Sequence, residues 1–160
     1  MSRFIQIDFS QLSNILSELQ AVGDRASDLR PIARAVAIVI QSYTDRVFNS
    51  APPTRSKGVV FNGETWEALS EKYLKARNRS GKKSQSRDNG FQLRDTGALL
   101  NSLQVNGAGN FFQSGNDFVE FGTDLPQGFN NNTRTFLTIT DDLEDQVVAV
   151  LENYILNGQT

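Results

Sequence analysis

The sequence predicts a mixed α+β fold: two N-terminal helices, a small antiparallel β-sheet and a C-terminal amphipathic helix, joined by long loops. Apolar residues recur at helical spacing in two early segments and in one late segment. Between them, short apolar runs are flanked by glycine and asparagine, a pattern typical of β-hairpins. The 160 residues, 38% of them apolar, are enough for one domain with its own core. We therefore expect a single domain over residues 1–160.

A short strand and a helix are predicted at the start of the chain. Apolar and polar residues nearly alternate from Phe4 to Phe9, which is the period of a half-buried strand. Ser10 resembles an N-cap, and apolar residues then follow at helical spacing over Gln11–Val22. Gly23 is a natural C-cap, so we expect the first helix to end there. Its apolar stripe comprises Leu12, Ile15, Leu16, Leu19 and Val22.

The second predicted helix is the longest. Asp28 is positioned to cap it and Pro31 lies in its first turn. Pro52 requires it to end, because the residue before a proline disfavours helical backbone. The predicted buried face comprises Ile32, Val36, Val39 or Ile40, Tyr43 and Val47. Ala33 and Ala37 leave a smooth second strip, so the helix is either an ordinary core helix or one that also forms a subunit interface.

Two short helices are predicted in the middle of the chain. The first covers Glu67–Arg77, with an inner side of Ala68, Leu69, Tyr73 and Leu74. The second runs from Gly97 to about Ser102, with Thr96 or Asp95 as its cap. Asp95 could also be read as a catalytic carboxylate, but capping at the positive end of the helix dipole is the better interpretation.

A three-stranded antiparallel meander and a closing helix complete the predicted fold. The three predicted strands are Leu103–Val105, Phe111–Phe112 and Phe118–Phe121. Ser114–Asp117 is a strong turn signal between the last two. Asp141 is predicted to cap the terminal helix, with Glu144 completing a capping box, and Gly158 ends it.

The composition argues against most enzyme chemistry. The chain has no histidine and no cysteine, which removes the commonest general base and metal ligand and the thiolate nucleophile. Carboxylate-based and lysine-based mechanisms remain, yet no pair of carboxylates stands out as an acid and a base. Four carboxylates at the start of the terminal helix lack the spacing of a calcium loop. They are Asp141, Asp142, Glu144 and Asp145. We expect no catalytic residue, no metal and no cofactor.

Membrane insertion and export are not indicated either. No apolar run approaches the roughly 18 to 20 residues that cross a bilayer. The first residues lack the apolar core and cleavage site of a signal peptide. We therefore expect a soluble protein that is made in the cytoplasm and contacts no membrane.

The strongest local charge bias is a basic tract over residues 72–87. It contains seven basic residues and no acidic residue, diluted by serine and glycine. The seven are Lys72, Lys75, Arg77, Arg79, Lys82, Lys83 and Arg87. One interpretation is a solvated, flexible loop at about 78–92; the other is a docking surface for an acidic protein or for the DNA backbone. No aromatic residue lies within Lys75–Gly90, so base stacking is not indicated.

The order of motifs from Trp66 onwards resembles the phage virion morphogenesis family, the tail-completion proteins of Mu-like and P2-like tailed phages. A W-x-x-L element precedes a lysine-rich helix, an L-x-D-T-G-x-L element follows the basic tract, and G-T and F-L elements precede the closing helix. The positions that carry the resemblance are Trp66, Leu69, Leu93, Asp95, Thr96, Gly97, Leu99, Gly122, Thr123, Phe136 and Leu137. Two departures are Thr135, where the family has proline, and an asparagine-rich segment without the family's tyrosine and histidine.

The resemblance implies a structural virion protein of the phage neck and not an enzyme. Such a protein completes or terminates the tail and joins it to the head connector as a homo-oligomeric, hexameric ring. Its implied partners are further copies of itself, the tail tube or sheath protein, the head–tail connector protein and the DNA in the channel. Its implied location is the virion, after assembly in the host cytoplasm. The alternative is a nucleic-acid-binding accessory protein that uses the basic tract.

Overall fold

The computed structural model has the predicted α+β class, with five α-helices and two β-hairpins among the residues that it describes. Those residues are 9–79, 92, 97–126, 128 and 134–159, with only the backbone described for 9–16 and 76–79. The helices are α1 (Phe9–Ser27), α2 (Ala33–Asn49), α3 (Glu71–Arg79), α4 (Ala98–Ser102) and α5 (Asp141–Asn157). The strands are β1 (Gly58–Val59), β2 (Thr65–Trp66), β3 (Asn110–Ser114) and β4 (Val119–Thr123). None of these helices combines the length and the hydropathy that crossing a bilayer requires.

α1 is longer than the sequence predicts and continues through Gly23 to Ser27. Near its end, the Arg25 guanidinium donates to the carbonyl oxygens of Ile155 (2.7 Å) and Leu156 (3.1 Å) in the last turn of α5. Carbonyls in a last turn lack partners within their own helix, so this contact satisfies the end of α5 and holds α1 beside it. The prediction that Gly23 ends α1 is therefore wrong. A glycine inside a helix costs only about 1 kcal/mol, which tertiary contacts readily outweigh.

α2 is the central element of the core. A 3-10 turn over Arg30–Ile32 leads into it, and the Asp28 carboxylate accepts the backbone N–H of Arg30 at 3.1 Å. The predicted buried face is confirmed, with Ile32, Val36, Tyr43 and Val47 buried and Val39 and Ile40 partly buried. Ala33 and Ala37 are only 2% and 0% exposed. The strip considered as a subunit interface is therefore covered within the chain itself.

Two apolar clusters lie along α2. The larger cluster joins the C-terminal half of α2 to β2, α4, the segment before α5 and α5 itself. It consists of Tyr43, Val47, Phe48, Ala51, Val60, Trp66, Leu99, Leu103, Phe136 and Leu143. The smaller cluster joins the start of α2 to α5 through Ile32, Val36 and Tyr154. Because the 17 residues of α2 span about 25 Å, its two ends belong to different parts of the molecule.

The predicted meander has two strands and not three. β3 and β4 pair antiparallel, from Asn110 opposite Thr123 to Ser114 opposite Val119, which confirms the predicted hairpin and its turn. A smaller hairpin pairs β1 with β2. The predicted strand near the N-terminus lies outside the described residues except for Phe9, which begins α1.

The segment Leu103–Val105 forms turns, so the prediction of a strand there is wrong. The Gln104 side chain bonds to both Gln41 and Asp45 of α2 at 2.8 Å. The backbone N–H of Val105 donates to the Gln41 side chain at 2.7 Å. The Val105 N–H, which a strand would offer to a neighbouring strand, is thus bound by a side chain of α2. Together with the Gln104 side-chain bonds, this contact folds the chain back onto α2.

Two predicted helix starts are shifted. α3 begins at Glu71 and not at Glu67, and the Ser70 hydroxyl accepts the backbone N–H of Tyr73 at 3.2 Å. α5 is capped by Thr140 and not by Asp141, since the Thr140 hydroxyl accepts the backbone N–H of Leu143 at 3.4 Å. In both cases a hydroxyl caps the helix. Ser70 lies inside the helix predicted for α3, and Thr140 lies one residue before the cap predicted for α5. Gly158, with a φ of 68°, ends α5 as predicted.

Candidate interaction surfaces

Four of the five apolar motif positions that the structure describes meet at the larger core cluster. Trp66, Leu99 and Phe136 are 1%, 5% and 1% exposed and belong to it, and Leu137 packs against it. The Phe136 ring meets the Phe48 ring edge-on, with centroids 5.4 Å apart. These side chains come from three distant parts of the sequence. Their shared role is to pack the core, and none of the three buried ones is available to a partner.

Gly122 and Thr123 fix the point at which the chain leaves β4. Gly122 is buried, and the Leu137 side chain lies 3.9 Å from where a Cβ would be. The Thr123 hydroxyl lies 2.7 Å from the Ser102 hydroxyl of α4 and accepts the backbone N–H of Leu125 at 3.1 Å. Both positions therefore join the hairpin to its neighbours.

The remaining motif positions are described only in part. Gly97 is the N-cap residue of α4, with a φ of 74° and no side-chain cap hydrogen bond. Leu69 is partly buried, and its backbone N–H donates to the Thr54 carbonyl oxygen at 2.8 Å. Outside the described residues lie Leu93 and the two predicted caps, Asp95 and Thr96. The left-handed backbone at Gly97 is a conformation that glycine adopts without strain.

Gln92 and Arg134 form a polar tie that the sequence analysis missed. Gln92 is 0% exposed. Its backbone N–H donates to the Pro52 carbonyl oxygen at 3.1 Å, and its side-chain amide donates to the Ser56 carbonyl oxygen at 3.1 Å. Its side-chain oxygen accepts from the Arg134 guanidinium at 2.6 Å. Arg134 also donates to the Glu67 carbonyl oxygen at 3.1 Å. A glutamine in a polar run gives no sequence signal of burial, so only the tertiary structure identifies it.

The basic tract is divided between α3 and residues that the structure does not describe. Asn78 and Arg79, predicted to lie in a loop, belong to α3, and Gln92 at the other limit is buried. The side chains of Lys72 and Lys75 are exposed on α3. Outside the description lie the side chains of Arg77 and Arg79 and all of Lys82, Lys83 and Arg87. Residues 80–91, the rest of the loop predicted at about 78–92, lie outside the described residues, so the flexible loop stays a prediction.

The outer face of α3 presents an exposed tyrosine beside two lysines. Tyr73 is 53% exposed, so its predicted place on the inner side is wrong, whereas Leu74 is buried as predicted. Among the described residues, no carboxylate forms an ion pair with Lys72 or Lys75. The neighbouring ion pairs are Arg55–Glu71 and Lys57–Glu67. At about 100° per residue, Lys72 lies between Tyr73 and Lys75 around the exposed side of α3, so the ring is at one edge of that side and the two charges lie beside it. We call this side the basic α3 face (Lys72, Tyr73 and Lys75).

An open apolar groove lies at the other end of α2. It has a volume of about 460 Å³ and lies between the first half of α2, α5 and the β3–β4 hairpin. Its lining includes Val36, Ile40, Phe118, Ile139, Val147 and Val148. Ile139 is 79% exposed, Phe118 42% and Val148 41%, so the groove presents apolar surface to solvent. Apolar surface left open in this way often marks an interaction site.

The groove has an acidic rim. Asp117 and Glu144 are exposed and line it. Residues 117–160 contain eight acidic residues and a single basic residue, Arg134, whose side chain bonds to Gln92. Outside the tract 72–87 the chain has nine basic and eighteen acidic residues. The net charge of −2 therefore conceals two regions of opposite charge.

No protein-family model, curated protein or solved structure matches this chain. Within the described residues, no three acidic side chains are grouped as a metal site would require. The resemblance to tail-completion proteins stays a prediction. The features of the described residues that bear on function are therefore the apolar groove and the basic α3 face.

Proposed function

We propose that the chain is a structural, non-enzymatic protein of a phage neck, which completes or terminates the tail and joins it to the head connector as a ring. The observation that carries this proposal is the presence of two unlike surfaces at opposite ends of α2. A contact between two different surfaces of identical subunits closes into a ring when the rotation between copies permits it. The acidic apolar groove and the basic α3 face are such a pair.

The packing of the motif residues supports the same function. Trp66, Leu99 and Phe136 hold the core together, while the groove and the basic α3 face remain exposed. This division suits a protein whose role is assembly, because a rigid core positions surfaces that meet other subunits. Under the proposal its partners are further copies of itself in a hexamer, the tail tube or sheath protein and the head–tail connector protein. Its location is the virion.

The test is assembly, alone and with a tail. Gel filtration with light scattering would give the mass of the purified chain, with and without the tail-tube protein encoded in the same genome. We expect a closed oligomer, or a monomer that forms a ring on the end of the tube. Electron microscopy of the mixture would locate that ring. A chain that remains monomeric and leaves the tube ends bare would contradict the proposal.

A second candidate is a nucleic-acid-binding accessory protein. The observation in its favour is that Lys72 and Lys75 are exposed at the start of a tract with seven basic residues. Sequence-independent DNA binding by such a tract weakens steeply with salt, by about 0.9 in the log–log slope for each phosphate neutralised. The test is a titration with random-sequence duplex at several salt concentrations. Tight binding by a strict monomer at physiological salt would favour this candidate over the neck protein.

The matched variants for that titration are a double substitution on the tract and a single one elsewhere. If the α3 lysines contact the DNA backbone, Lys72→Gln with Lys75→Gln should reduce the log–log salt slope by the amount expected for about two phosphate contacts. Arg34→Gln changes an exposed basic residue of α2 that lies outside the tract. It should leave a tract-specific slope unchanged.

A further inference from the structure

We infer that the groove of one copy binds the basic α3 face of the next copy, with Tyr73 in the apolar groove and Lys72 and Lys75 against the rim carboxylates Asp117 and Glu144. This inference rests on the proposed ring and names the contact that would build it. It commits to a second copy of this chain as the occupant of the groove.

The apolar groove and the Tyr73 ring are complementary in chemistry and in size. The groove exposes the aliphatic side chains of Ile139 and Val148 and the ring of Phe118. Tyr73 offers a large apolar ring with a hydroxyl at its tip, and its 53% exposure leaves it without full cover in its own chain. Tyrosine is enriched at interfaces because the ring can be buried while the hydroxyl stays hydrated. A volume of about 460 Å³ accommodates such a ring with the neighbouring side-chain stems.

The charges around the contact are complementary. Lys72 and Lys75 lie to one side of Tyr73 on α3, and Asp117 and Glu144 line the groove. Neither lysine forms an ion pair among the described residues, and neither rim carboxylate does. Opposite charges at the edge of an interface accelerate association and fix its register, while like charges brought together oppose it. The rim charges therefore disfavour an acidic peptide in the groove and favour a basic one.

The groove and the basic α3 face lie toward different ends of α2 within one copy. The groove lies beside Val36 and Ile40, in the first half of α2. α3 is attached beyond the last residue of α2, where the Leu69 N–H bonds to Thr54 and Arg55 pairs with Glu71. Ile40, the groove residue nearest to the end of α2, is about 14 Å along the helix from Asn49. Within the part of the chain that the structure describes, the groove and the α3 face are both left exposed, which is what a head-to-tail contact between copies requires.

Charge exchange across the contact tests the inference. The α3 variant carries Lys72→Glu and Lys75→Glu, and the groove variant carries Asp117→Lys and Glu144→Lys. The combined variant carries all four substitutions, so each contact again joins opposite charges. Light scattering over a range of concentrations measures the subunit dissociation constant, and circular dichroism checks that each variant is folded. The matched control for the groove variant carries Asp24→Lys and Asp142→Lys, exposed carboxylates outside the groove with the same change in charge.

We expect the α3 variant and the groove variant each to weaken self-association by at least about tenfold. The control should assemble as the original chain does, and the combined variant should recover most of the loss. Ile139→Ser should also weaken assembly, whereas Val59→Ser, an equally simple change on β1 at a 66% exposed position, should not.

Three results would overturn the inference, and they are distinguishable from failure of the proposed function. If the original chain assembles but both charge variants do so equally well, the ring uses another contact and the neck proposal stands. A combined variant weaker than either parent would show that the two sets of residues do not meet. If the original chain never self-associates, even with tail tube, both the inference and the proposed ring are wrong.

Discussion

Trp66 combines deep burial with an indole N–H that has no acceptor among the described residues. The side chain is 1% exposed and packs with the rings and aliphatic groups of the larger cluster. A buried donor without a partner costs on the order of 1–3 kcal/mol. The stabilising contribution of Trp66 therefore comes from the volume that it fills and not from its nitrogen.

Two substitutions of Trp66 separate these effects. Trp66→Ala should lower the free energy of unfolding by about 3–5 kcal/mol, because it leaves a large cavity. Trp66→Phe should cost clearly less, because phenylalanine keeps most of the apolar volume and removes the unpaired N–H. Urea unfolding followed by circular dichroism measures both. If phenylalanine is as costly as alanine, the indole nitrogen has a partner that supports the fold.

Asp28 has the one carboxyl group among the described residues whose pKa departs strongly from its ordinary value. Hydrogen bonds from the Arg30 side chain and backbone N–H, together with the charge of Arg30, lower the pKa of Asp28 from 3.8 to about 2. Because the pKa is lowered by folding, the ionised form is the one stabilised. Its contribution is complete above pH 3.8 and is lost as the pH falls through about 2.

Arg30→Gln tests the origin of that shift. The variant removes the guanidinium that bonds to both Asp28 carboxylate oxygens at 2.8 and 2.7 Å. We expect the pKa of Asp28 to rise towards 3.8, although the bond from the backbone N–H remains. A carboxyl-carbon NMR titration of Asp28 in both proteins measures this. An unchanged pKa would mean that the backbone N–H alone holds the carboxylate in its ionised form.

At the level of elements, Gly23 is where the sequence-based prediction and the structure differ most clearly, because the sequence predicts a helix end there and α1 continues. A C-cap glycine needs left-handed backbone, where alanine is strained, whereas a glycine inside a helix is improved by alanine. In the structure, α1 continues past Gly23, and a Cβ added there would meet no atom within 4 Å. Gly97 offers the opposite case, with equally open surroundings but a φ of +74°.

Gly23→Ala should therefore stabilise α1, by about 0.5–1 kcal/mol. Hydrogen exchange of the α1 amides reports this locally, even if the change in global unfolding is small. Gly97→Ala is the matched control, and left-handed backbone should make it destabilising by about 1–2 kcal/mol. Faster exchange in Gly23→Ala would restore the prediction that α1 ends at that residue.

Element types were predictable from sequence wherever one face is buried, because burial imposes a period. The buried face of α2 follows this rule. The β3–β4 hairpin was predictable from its turn signal instead, since Phe111 and Phe112 of β3 are both exposed. Failures occur where a tertiary bond overrides a local signal. Gln104 and Val105 look like the start of a strand, but bonds to α2 side chains fold them into turns. The Arg25 bonds to α5 likewise lie far from Gly23 in sequence, and no local pattern reveals them.

At the scale of the whole molecule, surfaces built from several elements could not be predicted from the sequence. The basic tract is contiguous, so composition alone indicated it. The groove combines α2, the hairpin and α5, and its apolar residues have the same periodicity as core residues. The sequence cannot tell which members of such a stripe, such as Val148, remain uncovered. Gln92 was missed for a related reason, since its burial depends on partners that lie between 36 and 42 residues away.

The polar tie between Gln92 and Arg134 connects three parts of the chain, and a double-mutant cycle measures its strength. Gln92 bonds to the segment after α2, and Arg134 bonds to Gln92 and to the Glu67 carbonyl oxygen. Each single change to alanine removes the Gln92–Arg134 bond and leaves the other side chain without its partner. The double variant loses the same bond only once. We therefore expect the double variant to be less destabilised than the sum of the singles, by about 0.5–3 kcal/mol.

The control cycle uses Asp142 and Gln146, whose side chains also bond, at 3.0 Å, but on the exposed surface of α5. Water replaces an exposed bond, so their coupling should be at most about 0.5 kcal/mol. Urea unfolding of all variants supplies both cycles. Additive losses at Gln92 and Arg134 would mean that the two side chains act independently. Gln92 would then be held in place by its own bonds to Pro52 and Ser56, without support from Arg134.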